Sequence, residues 1–340
     1  MIIRSMAPLR IGLAGGGTDV SPYSDLYGGA VLNATVNLFA YASILPGNNG
    51  KIILRSVDRR ETEVLDAAPR LELNGKMDLL KGIYNRIMED YRTEPLSFEL
   101  TTSVDAPPGS GLGSSSTLVT AVTGAFVEWL HLPLGEYDIA RLAYRIERLD
   151  LNLAGGKQDQ YAATFGGVNY MEFFADEKVI VNPLRIREET LKELAFNMVL
   201  YYTGTSRLSS EIIEKQQQSI KNNLMTSVNA MHKTREMAVL MKEALLKNEL
   251  NTLGEIMNQG WEFKKKMATG ISNPEIDRIY RAAMNAGATG GKISGAGGGG
   301  FMFFFCPGNT RYQVAETLRG FGGNVQSFQF TKSGLRSWTV

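Results

Sequence analysis

Hydrophobic and polar residues follow two different periods along the first half of this chain. β-Branched and aromatic residues bounded by glycines predict strands over residues 2–13 and 30–45, and "KIILRSVD" and "LSFELTTSV" show the same pattern. Apolar residues recur every three to four positions over 114–131 and 136–149, which predicts two amphipathic helices. One more helix is expected over about 76–91. The first half is therefore predicted to be a sheet with a few helices.

The pattern changes near residue 185. Strands are predicted in "GGVNYMEFF", "KVIVNPL" and "AFNMVLYYTG", after which residues 209–286 are almost wholly helical in pattern. The chain then alternates strands ("TGGKIS", "GFMFFFC", "VQSFQF") with a helix in "NTRYQVAETLRG". Because no regular βαβ alternation is present, we predict an α+β fold. A length of 340 residues suits two domains, which we assign to 1–185 and 186–340.

Composition narrows the class of partner. The chain has 36 Lys plus Arg against 35 Asp plus Glu, so overall charge favours neither nucleic acid nor an anionic membrane. The N-terminus lacks a signal-peptide pattern, and Cys306 is the only cysteine. With only two histidines, His131 and His232, histidine-centred catalysis is not expected. We expect a cytoplasmic protein that binds a small molecule, and its oligomeric state stays open.

The stretch "PPGSGLGSSSTLVTA", residues 107–121, is the main candidate for chemistry. Its glycines let backbone N–H groups turn toward one point, and the hydroxyls that follow begin a helix whose N-terminus favours an anion. A tight turn with Ser114 as an ordinary N-cap is the alternative. The density of glycines and hydroxyls favours a phosphate site, formed by Pro108, Gly109, Ser110, Gly111, Leu112, Gly113, Ser114, Ser115 and Ser116.

Two other glycine-rich stretches are less specific. "GGKISGAGGGGF", residues 290–301, contains a literal GxGxxG, but a strand follows it where a dinucleotide site needs a helix. We expect a hairpin-like loop there, close to backbone or ligand. For "LAGGGTD", residues 13–19, two interpretations stay open. The glycines form only a turn, or the loop they form brings Arg10 and Asp19 to a polar substrate.

Together, these three stretches resemble the signatures of the GHMP kinases, the superfamily of galactokinase, homoserine kinase, mevalonate kinase and phosphomevalonate kinase. Pro107–Ser115 resembles the central motif and Lys292–Gly300 the C-terminal one. Galactokinases carry Gly-Glu-His-Thr-Asp where this chain has Gly15-Gly16-Gly17-Thr18-Asp19, which argues against galactose. "APLRIGLAGGGTD", "GLGSSS" and "GGKQDQYAATFGG" are similar to the branch of D-glycero-α-D-manno-heptose 7-phosphate kinases.

The resemblance implies a two-domain GHMP kinase fold. Its N-terminal domain is expected to be like ribosomal protein S5 domain 2 and its C-terminal domain to be ferredoxin-like, with the active site in the cleft between them. It also implies ATP-dependent phosphorylation of the anomeric C1 hydroxyl of the heptose 7-phosphate, which yields the 1,7-bisphosphate on the way to GDP-heptose. Another sugar kinase of the superfamily, such as an L-fucose kinase, and a non-catalytic nucleotide-binding relative are the alternatives.

The resemblance assigns roles to the nucleotide side of the site. Ser115 is implied as one Mg²⁺ ligand. Glu147 is the other candidate, because it lies at the edge of the apolar stripe of its helix. A solvated Glu147 paired with Arg145 or Arg148 is the alternative. The presence of Ser115, Glu147 and Asp159 together argues against a non-catalytic relative.

The acceptor side is implied in the same way. Asp159 matches the acid that orients or deprotonates the attacking hydroxyl, although it could instead cap a helix starting near Gln160. Arg10 matches a basic residue near the acceptor oxygen, although a surface arginine also fits. The predicted substrate contacts are Gly16, Gly17, Thr18, Asp19 and Gly297, with Lys157 and Arg207 as candidate cations for the sugar's phosphate or as plain surface charges.

Overall fold

A large mixed sheet forms the first part of the protein. The computed structural model describes residues 1–205, 209–222 and 224–340. The strands of this sheet are β1 (Ile3–Ala14), β2 (Gly29–Pro46), β3 (Lys51–Ser56), β4 (Glu61–Asp66), β5 (Phe98–Val104), β6 (Val168–Phe173), β7 (Val179–Pro183) and β12 (Arg336–Thr339). They run in the order β12-β1-β2-β5-β3-β4, while β6 pairs with β2 and β7 with β6. The β3–β5 pair is parallel and the other pairs are antiparallel.

Helices cover this sheet and converge on its centre. They are α1 (Tyr23–Tyr27), α2 (Asp78–Tyr91), α3 (Ser114–Leu130), α4 (Glu136–Arg145), a π-helical turn (Ile146–Asp150) and α5 (Gln158–Phe165). Helix α3 is buried along most of its length because it contacts the sheet as well as α2, α4 and α5. Phe126 of α3 packs edge-on against Phe98 of β5, with ring centroids 5.5 Å apart. The predicted helices are confirmed, but the one expected over 136–149 ends as the π-helical turn.

A second sheet follows the change of pattern near residue 185. Its strands are β8 (Met198–Tyr202), β9 (Gly290–Ile293), β10 (Phe301–Phe305) and β11 (Asn324–Gln326), in the antiparallel order β11-β8-β10-β9. Numbered along the chain, that order is fourth, first, third, second, which is the ferredoxin-like arrangement that the sequence led us to expect. The hairpin of β9 and β10 also confirms the expected strand–loop–strand.

The helices of this part are mostly inserted between β8 and β9. They are α6 (Glu188–Phe196), α7 (Ser209–Lys221), α8 (Met225–Lys247), α9 (Leu250–Lys265), α10 (Pro274–Asn285) and α11 (Arg311–Arg319). Helix α6 was not predicted from the sequence. In the described part of the chain, no helix is long and apolar enough to cross a membrane.

The C-terminal segment differs from expectation at two places. The strand predicted in "VQSFQF" ends at Gln326, and only an isolated bridge joins Phe330 to Val36. Strand β12, which was not predicted, pairs with β1 and so returns the chain to the first sheet. A four-residue edge strand with the sequence "RSWT" has no period long enough to detect. The division at residues 185/186 stays a prediction. Strand β12, which lies in the second predicted domain, belongs to the first sheet.

One hydrophobic cluster joins the two sheets. It contains Leu9, Ile11 and Leu32 from the first sheet together with Phe303 and Phe305 from the second. Helices α8 and α9 contribute to it from the side, and α8 also contacts β1 and β2. The two sheets therefore share a core, which fixes the position of the groups that lie between them.

Helix α9 lies unusually close to β9. A Cβ added at Gly290 would be 1.8 Å from the carbonyl oxygen of Gly254, and one added at Gly254 would be 1.9 Å from Thr289 Oγ1. Farther along α9, a Cβ at Gly260 would meet only the side chain of Met237, whose Cγ would lie at an ordinary 3.6 Å. Packing against β9 therefore requires glycine at position 254 but not at position 260.

We expect Gly254→Ala to lower the free energy of unfolding by about 1–3 kcal/mol, because Thr289 and α9 must move apart. Gly260→Ala is the matched control on the same helix, and we expect it to raise that free energy by about 0.5–1 kcal/mol through helix propensity. Urea unfolding of the two variants and the wild type measures both changes. Equal effects would contradict the close approach of α9 and β9.

Candidate active site

A cavity of about 300 Å³ lies between the two sheets. Its walls come from β1, the glycine loop before α3, the π-helical turn, the start of α5, α7 and α9. The lining residues with functional groups are Arg10, Asp19, Ser114, Ser115, Ser116, Glu147, Arg148, Gln158, Asp159, Ser210, Gln216 and Lys264. Most of the residues predicted from sequence thus meet in one place.

The glycine loop is held in shape from the opposite side by the β9–β10 loop. Gly109, Gly111 and Gly113 have φ angles of +70°, +85° and +78°, which disfavour other residues. A Cβ at Gly111 would lie 2.4 Å from the carbonyl oxygen of Ser294, so the two loops touch backbone to backbone. The N–H of Phe301 donates to the Ser110 carbonyl at 2.8 Å. The loop therefore has little freedom to move.

The N-terminus of α3 opens into the cavity. Gly113, not Ser114, occupies the N-cap position, and no side chain caps the helix, so the N-cap alternative for Ser114 is wrong. The free N–H groups of a 17-residue helix and its dipole favour an anion at this end. Of the predicted cradle, Pro108, Ser110 and Leu112 do not line the cavity, whereas the glycines and the three serines do.

Ser115 and Glu147 bring hard oxygen atoms together. Ser115 Oγ donates to Glu147 Oε1 at 3.0 Å, and Gln160 Nε2 donates to Glu147 Oε2 at 2.6 Å. Glu147 is only 1% exposed, and Arg148 Nη1 lies 3.7 Å from its Oε1. The alternative of a solvated Glu147 is therefore wrong, although the pairing with Arg148 exists. Within the described ranges, no group of three or more His, Cys, Asp or Glu residues is arranged to hold a metal ion.

Arg10 and Asp159 form a partly buried ion pair in the cavity wall. Arg10 Nη2 lies 2.6 Å from Asp159 Oδ1, and Nε donates to the same oxygen at 2.7 Å. Arg10 Nη1 also donates to the carbonyl oxygen of Gly111 at 2.6 Å. Arg10 is 3% exposed, so it is not a surface arginine. Asp159 makes no capping bond to α5, whose N-cap is Lys157, so it is not a helix cap.

Asp19 is a buried carboxylate next to this pair. The N–H groups of Gly17 and Gln158 each donate to it at 3.1 Å. A Cβ at Gly156 would lie 1.9 Å from Asp19 Oδ2, so glycine is required at that position. Burial, and then the charge of Asp159, raise the pKa of Asp19 above its usual value. Asp19 is thus placed to accept hydrogen bonds within the cavity.

Four predicted substrate contacts do not line the cavity. Gly16 does not line it, and Thr18 donates internally to the carbonyls of Gly15 and Ala30 at 2.8 and 2.9 Å. Lys157 is buried and lies 3.2 Å from Asp25 Oδ1. Gly297, with φ +123°, packs against the backbone of Ile271. Arg207 lies outside the described residues.

Lys264 is the main functional group that was not predicted from the sequence. It lies on α9, lines the cavity and is 4% exposed, and its Nζ donates to the carbonyl oxygen of Gly295. Burial, and then the positive charge of Arg10, lower its pKa to about 8. The signal was present: Lys264 follows Met257 and Trp261 on the buried stripe of α9, where helical spacing predicts an apolar residue.

Comparison with known proteins gives a consistent family. The model of the GHMP kinases N terminal domain matches residues 78–167, and that of the GHMP kinases C terminal matches residues 241–324. A D-glycero-alpha-D-manno-heptose 7-phosphate kinase from Campylobacter jejuni is 48% identical over 338 residues, which cover 99% of each chain.

Solved structures agree with that result. The crystal structure of a D-glycero-D-manno-heptose 1-phosphate kinase from Bacteriodes thetaiotaomicron superposes with a TM-score of 0.85 at 46% identity, covering 99% of each chain. Lactococcus lactis galactokinase complexed with galactose has a TM-score of 0.78 at 18% identity, covering 98% of this chain and 95% of its own. The galactokinase likeness supports the two-domain fold alone.

Proposed function

This chain belongs to the GHMP kinases and is an ATP-dependent phosphotransferase; from that premise we propose that it phosphorylates the anomeric C1 hydroxyl of D-glycero-α-D-manno-heptose 7-phosphate. The product would be the 1,7-bisphosphate, a precursor of GDP-heptose. The observation that carries the proposal is the Arg10–Asp159 pair, which lies in one cavity with the N-terminus of α3 and with Asp19. The 48% identity to a heptose 7-phosphate kinase, which extends over 99% of both chains, supports this choice of sugar.

The nucleotide phosphates would lie at the N-terminus of α3. Phosphoryl transfer asks a protein mostly to position its reactants and to neutralise charge on the moving group. The glycine loop offers backbone N–H groups for that purpose, and Ser114–Ser116 offer hydroxyls. Arg148, also in the wall, adds a cation beside Ser116, with its Nη2 3.4 Å from the hydroxyl oxygen.

Ser115 and Glu147 fit a Mg²⁺ ion. Their oxygens are 3.0 Å apart and face a cavity that would hold phosphates, and Mg²⁺ is usually bound by one or two protein oxygens plus phosphate and water. When bound, the ion neutralises charge on the phosphate oxygens. Gln160 donates to the other carboxylate oxygen of Glu147, Oε2, so the Glu147 side chain is already oriented.

The acceptor hydroxyl would meet Asp159. In the transfer, the anomeric oxygen bonds to the γ-phosphorus, the bond to the ADP oxygen breaks, and the hydroxyl proton passes to the Asp159 carboxylate. Arg10 holds that carboxylate and supplies positive charge beside the reacting oxygen. Asp19 and the carbonyl of Gly17 would orient the sugar, and Gln216 fixes Gly17 by donating to that carbonyl at 2.8 Å.

The substrate's own phosphate needs a cation in or near the cavity. The names of the two heptose kinases above place a phosphate at C7 in one case and at C1 in the other. Arg207 remains a candidate to hold it. Lys157 would first have to leave Asp25, which lies 3.2 Å away. The acceptor assay must therefore also locate the new phosphate.

The proposal predicts a strong preference for a phosphorylated acceptor. Because cations built for a phosphate stay unpaired when it is missing, unphosphorylated heptose should lose on the order of a thousandfold in kcat/KM. ATP consumption is measured with the heptose, its 7-phosphate and L-fucose, and phosphorus–proton NMR couplings locate the new phosphate. Equal kcat/KM for the two heptoses, transfer to any atom but C1, or preference for L-fucose would refute the heptose 7-phosphate assignment.

Glu147→Gln should weaken magnesium-dependent turnover while the protein stays folded. The change removes an anionic ligand but keeps the size of the side chain, so the Mg²⁺ concentration for half-maximal kcat should rise at least tenfold. Ser115→Ala should act in the same direction. Glu243→Gln, an exposed change on α8, is the control. An unaltered magnesium dependence in both site variants would remove the metal assignment.

Asp159→Asn should reduce kcat by about 10²- to 10⁴-fold, the usual range for loss of a general base. The amide retains the size of the side chain but can neither take the proton nor pair fully with Arg10. Asp66→Asn, whose carboxylate is exposed and paired with Lys51, should leave kcat unchanged. Steady-state kinetics decide, and a loss of less than about tenfold for Asp159→Asn would exclude the role.

A further inference from the structure

Among the residues that the structure describes, Lys264 has no carboxylate partner that accounts for its charge. Its Nζ donates to one carbonyl oxygen, that of Gly295, and no carboxylate in the described ranges lies within 4.0 Å of it. A buried ammonium without a counter-ion is costly, and an apolar side chain on the same stripe of α9 would avoid that cost. An anionic ligand in the cavity would supply the missing partner.

The charges around Lys264 make it a site for an anion. Arg10 on β1 repels it, while Asp19 attracts it from the loop after β1. Lys292 on β9 is also close enough to interact, but its Nζ donates to the Gly12 carbonyl at 2.9 Å and does not line the cavity. Arg10 is already engaged by Asp159. Lys264 is thus a cation of the cavity wall that no carboxylate of the described part of the chain holds.

We propose that the Lys264 ammonium binds a phosphate oxygen of a substrate in this cavity. The inference rests on the proposed function, which supplies two phosphates: the γ-phosphate of ATP and the phosphate of the sugar. Both offer the same chemistry, an anionic oxygen that accepts a charge-assisted hydrogen bond. The position of Lys264 favours the γ-phosphate, because Gly295, which holds the ammonium, touches Gly111 of the glycine loop.

The position of the ammonium is fixed from two directions. Helix α9 is held against β9 by the close approach of Gly254 and Gly290. Gly295 is held by its neighbour Ser294, whose Oγ donates to the Gly111 carbonyl at 2.8 Å. Electrostatic stabilisation is strongest when the charge is positioned beforehand. Lys264 would therefore act on a phosphate without rearrangement of α9.

Binding of a phosphate should be linked to proton uptake. In the free protein, burial keeps the pKa of Lys264 at about 8, so near pH 8.5 a large share of the molecules has a neutral Lys264. A neighbouring anion raises that pKa, so that the side chain gains a proton when the ligand binds. Above pH 8, affinity for the ligand should therefore fall as pH rises.

Lys264→Met is the main variant, and Lys264→Arg retains the charge with a different shape. Lys266→Met, an exposed change at the end of the same helix, is the control. In the wild type the folded pKa of Lys264, about 8, lies below the unfolded value of 10.5, so the charge destabilises the fold below pH 8 and this effect disappears as pH rises to 10.5. Lys264→Met should therefore melt no lower than the wild type at pH 7.

Calorimetric titrations at pH 8.5, in buffers of different ionisation enthalpy, measure affinity and proton uptake. The probes are Mg-ADP, the magnesium complex of the β,γ-imido analogue of ATP, and heptose 7-phosphate. If the γ-phosphate is the ligand, Lys264→Met should bind the ATP analogue at least tenfold more weakly than the wild type, but bind ADP within twofold of it. The proton uptake that accompanies binding of the analogue should be lost in this variant. Lys264→Arg should recover part of the affinity.

If the sugar phosphate is the ligand, Lys264→Met should instead raise KM for heptose 7-phosphate and leave the ATP analogue unaffected. Unchanged affinities and unchanged proton uptake with every probe would overturn the proposal. Should Lys264→Met fail to fold, the proton uptake of the wild type and the affinities of Lys264→Arg decide in its place. Failure of the wild type to use heptose 7-phosphate would refute the proposed function, while the nucleotide titrations would still test Lys264.

Discussion

The contact between two glycine-rich loops determines the geometry of the site. Gly111, before α3, and Ser294, after β9, approach so closely that no side chain fits between them. The carbonyls of these two loops hold the cations: that of Gly111 accepts from Arg10, and that of Gly295 accepts from Lys264. Because one loop belongs to each sheet, the shared core and the site depend on each other.

This contact explains how a nearly neutral chain binds anions. The net charge of +1 gives no long-range attraction, so anion binding depends on a few groups placed by the fold. In the proposed site, the helix N-terminus would supply partial charge, and Arg10 and Lys264 would supply full charges whose burial strengthens their effect. Asp159 and Asp19 lie beside them, which brings acceptors for protons and hydroxyls into the same cavity.

The sequence predicted features that depend on short stretches of chain. Helix α3 and the glycine loop before it follow from local spacing, and resemblance to a family assigned both Arg10 and Asp159 to the acceptor hydroxyl, but not their ion pair. Contacts over long separations were not predictable: Lys157 meets Asp25 across 132 positions. Lys264 was missed because it stands among three successive lysines, a pattern typical of an exposed face. Strand β12 was missed because it is short and polar.

The π-helical turn gives the cavity an edge of mixed charge. Consecutive residues of an α-helix point about 100° apart, yet Glu147 and Arg148 both line the cavity. The turn closes with a bond from the Leu151 N–H to the Ile146 carbonyl at 3.0 Å, one residue wider than an α-helical turn. Its carboxylate repels a bare polyphosphate, while its guanidinium attracts one. Under the proposed function, this edge would favour nucleotide that arrives as its metal complex over the uncomplexed tetra-anion.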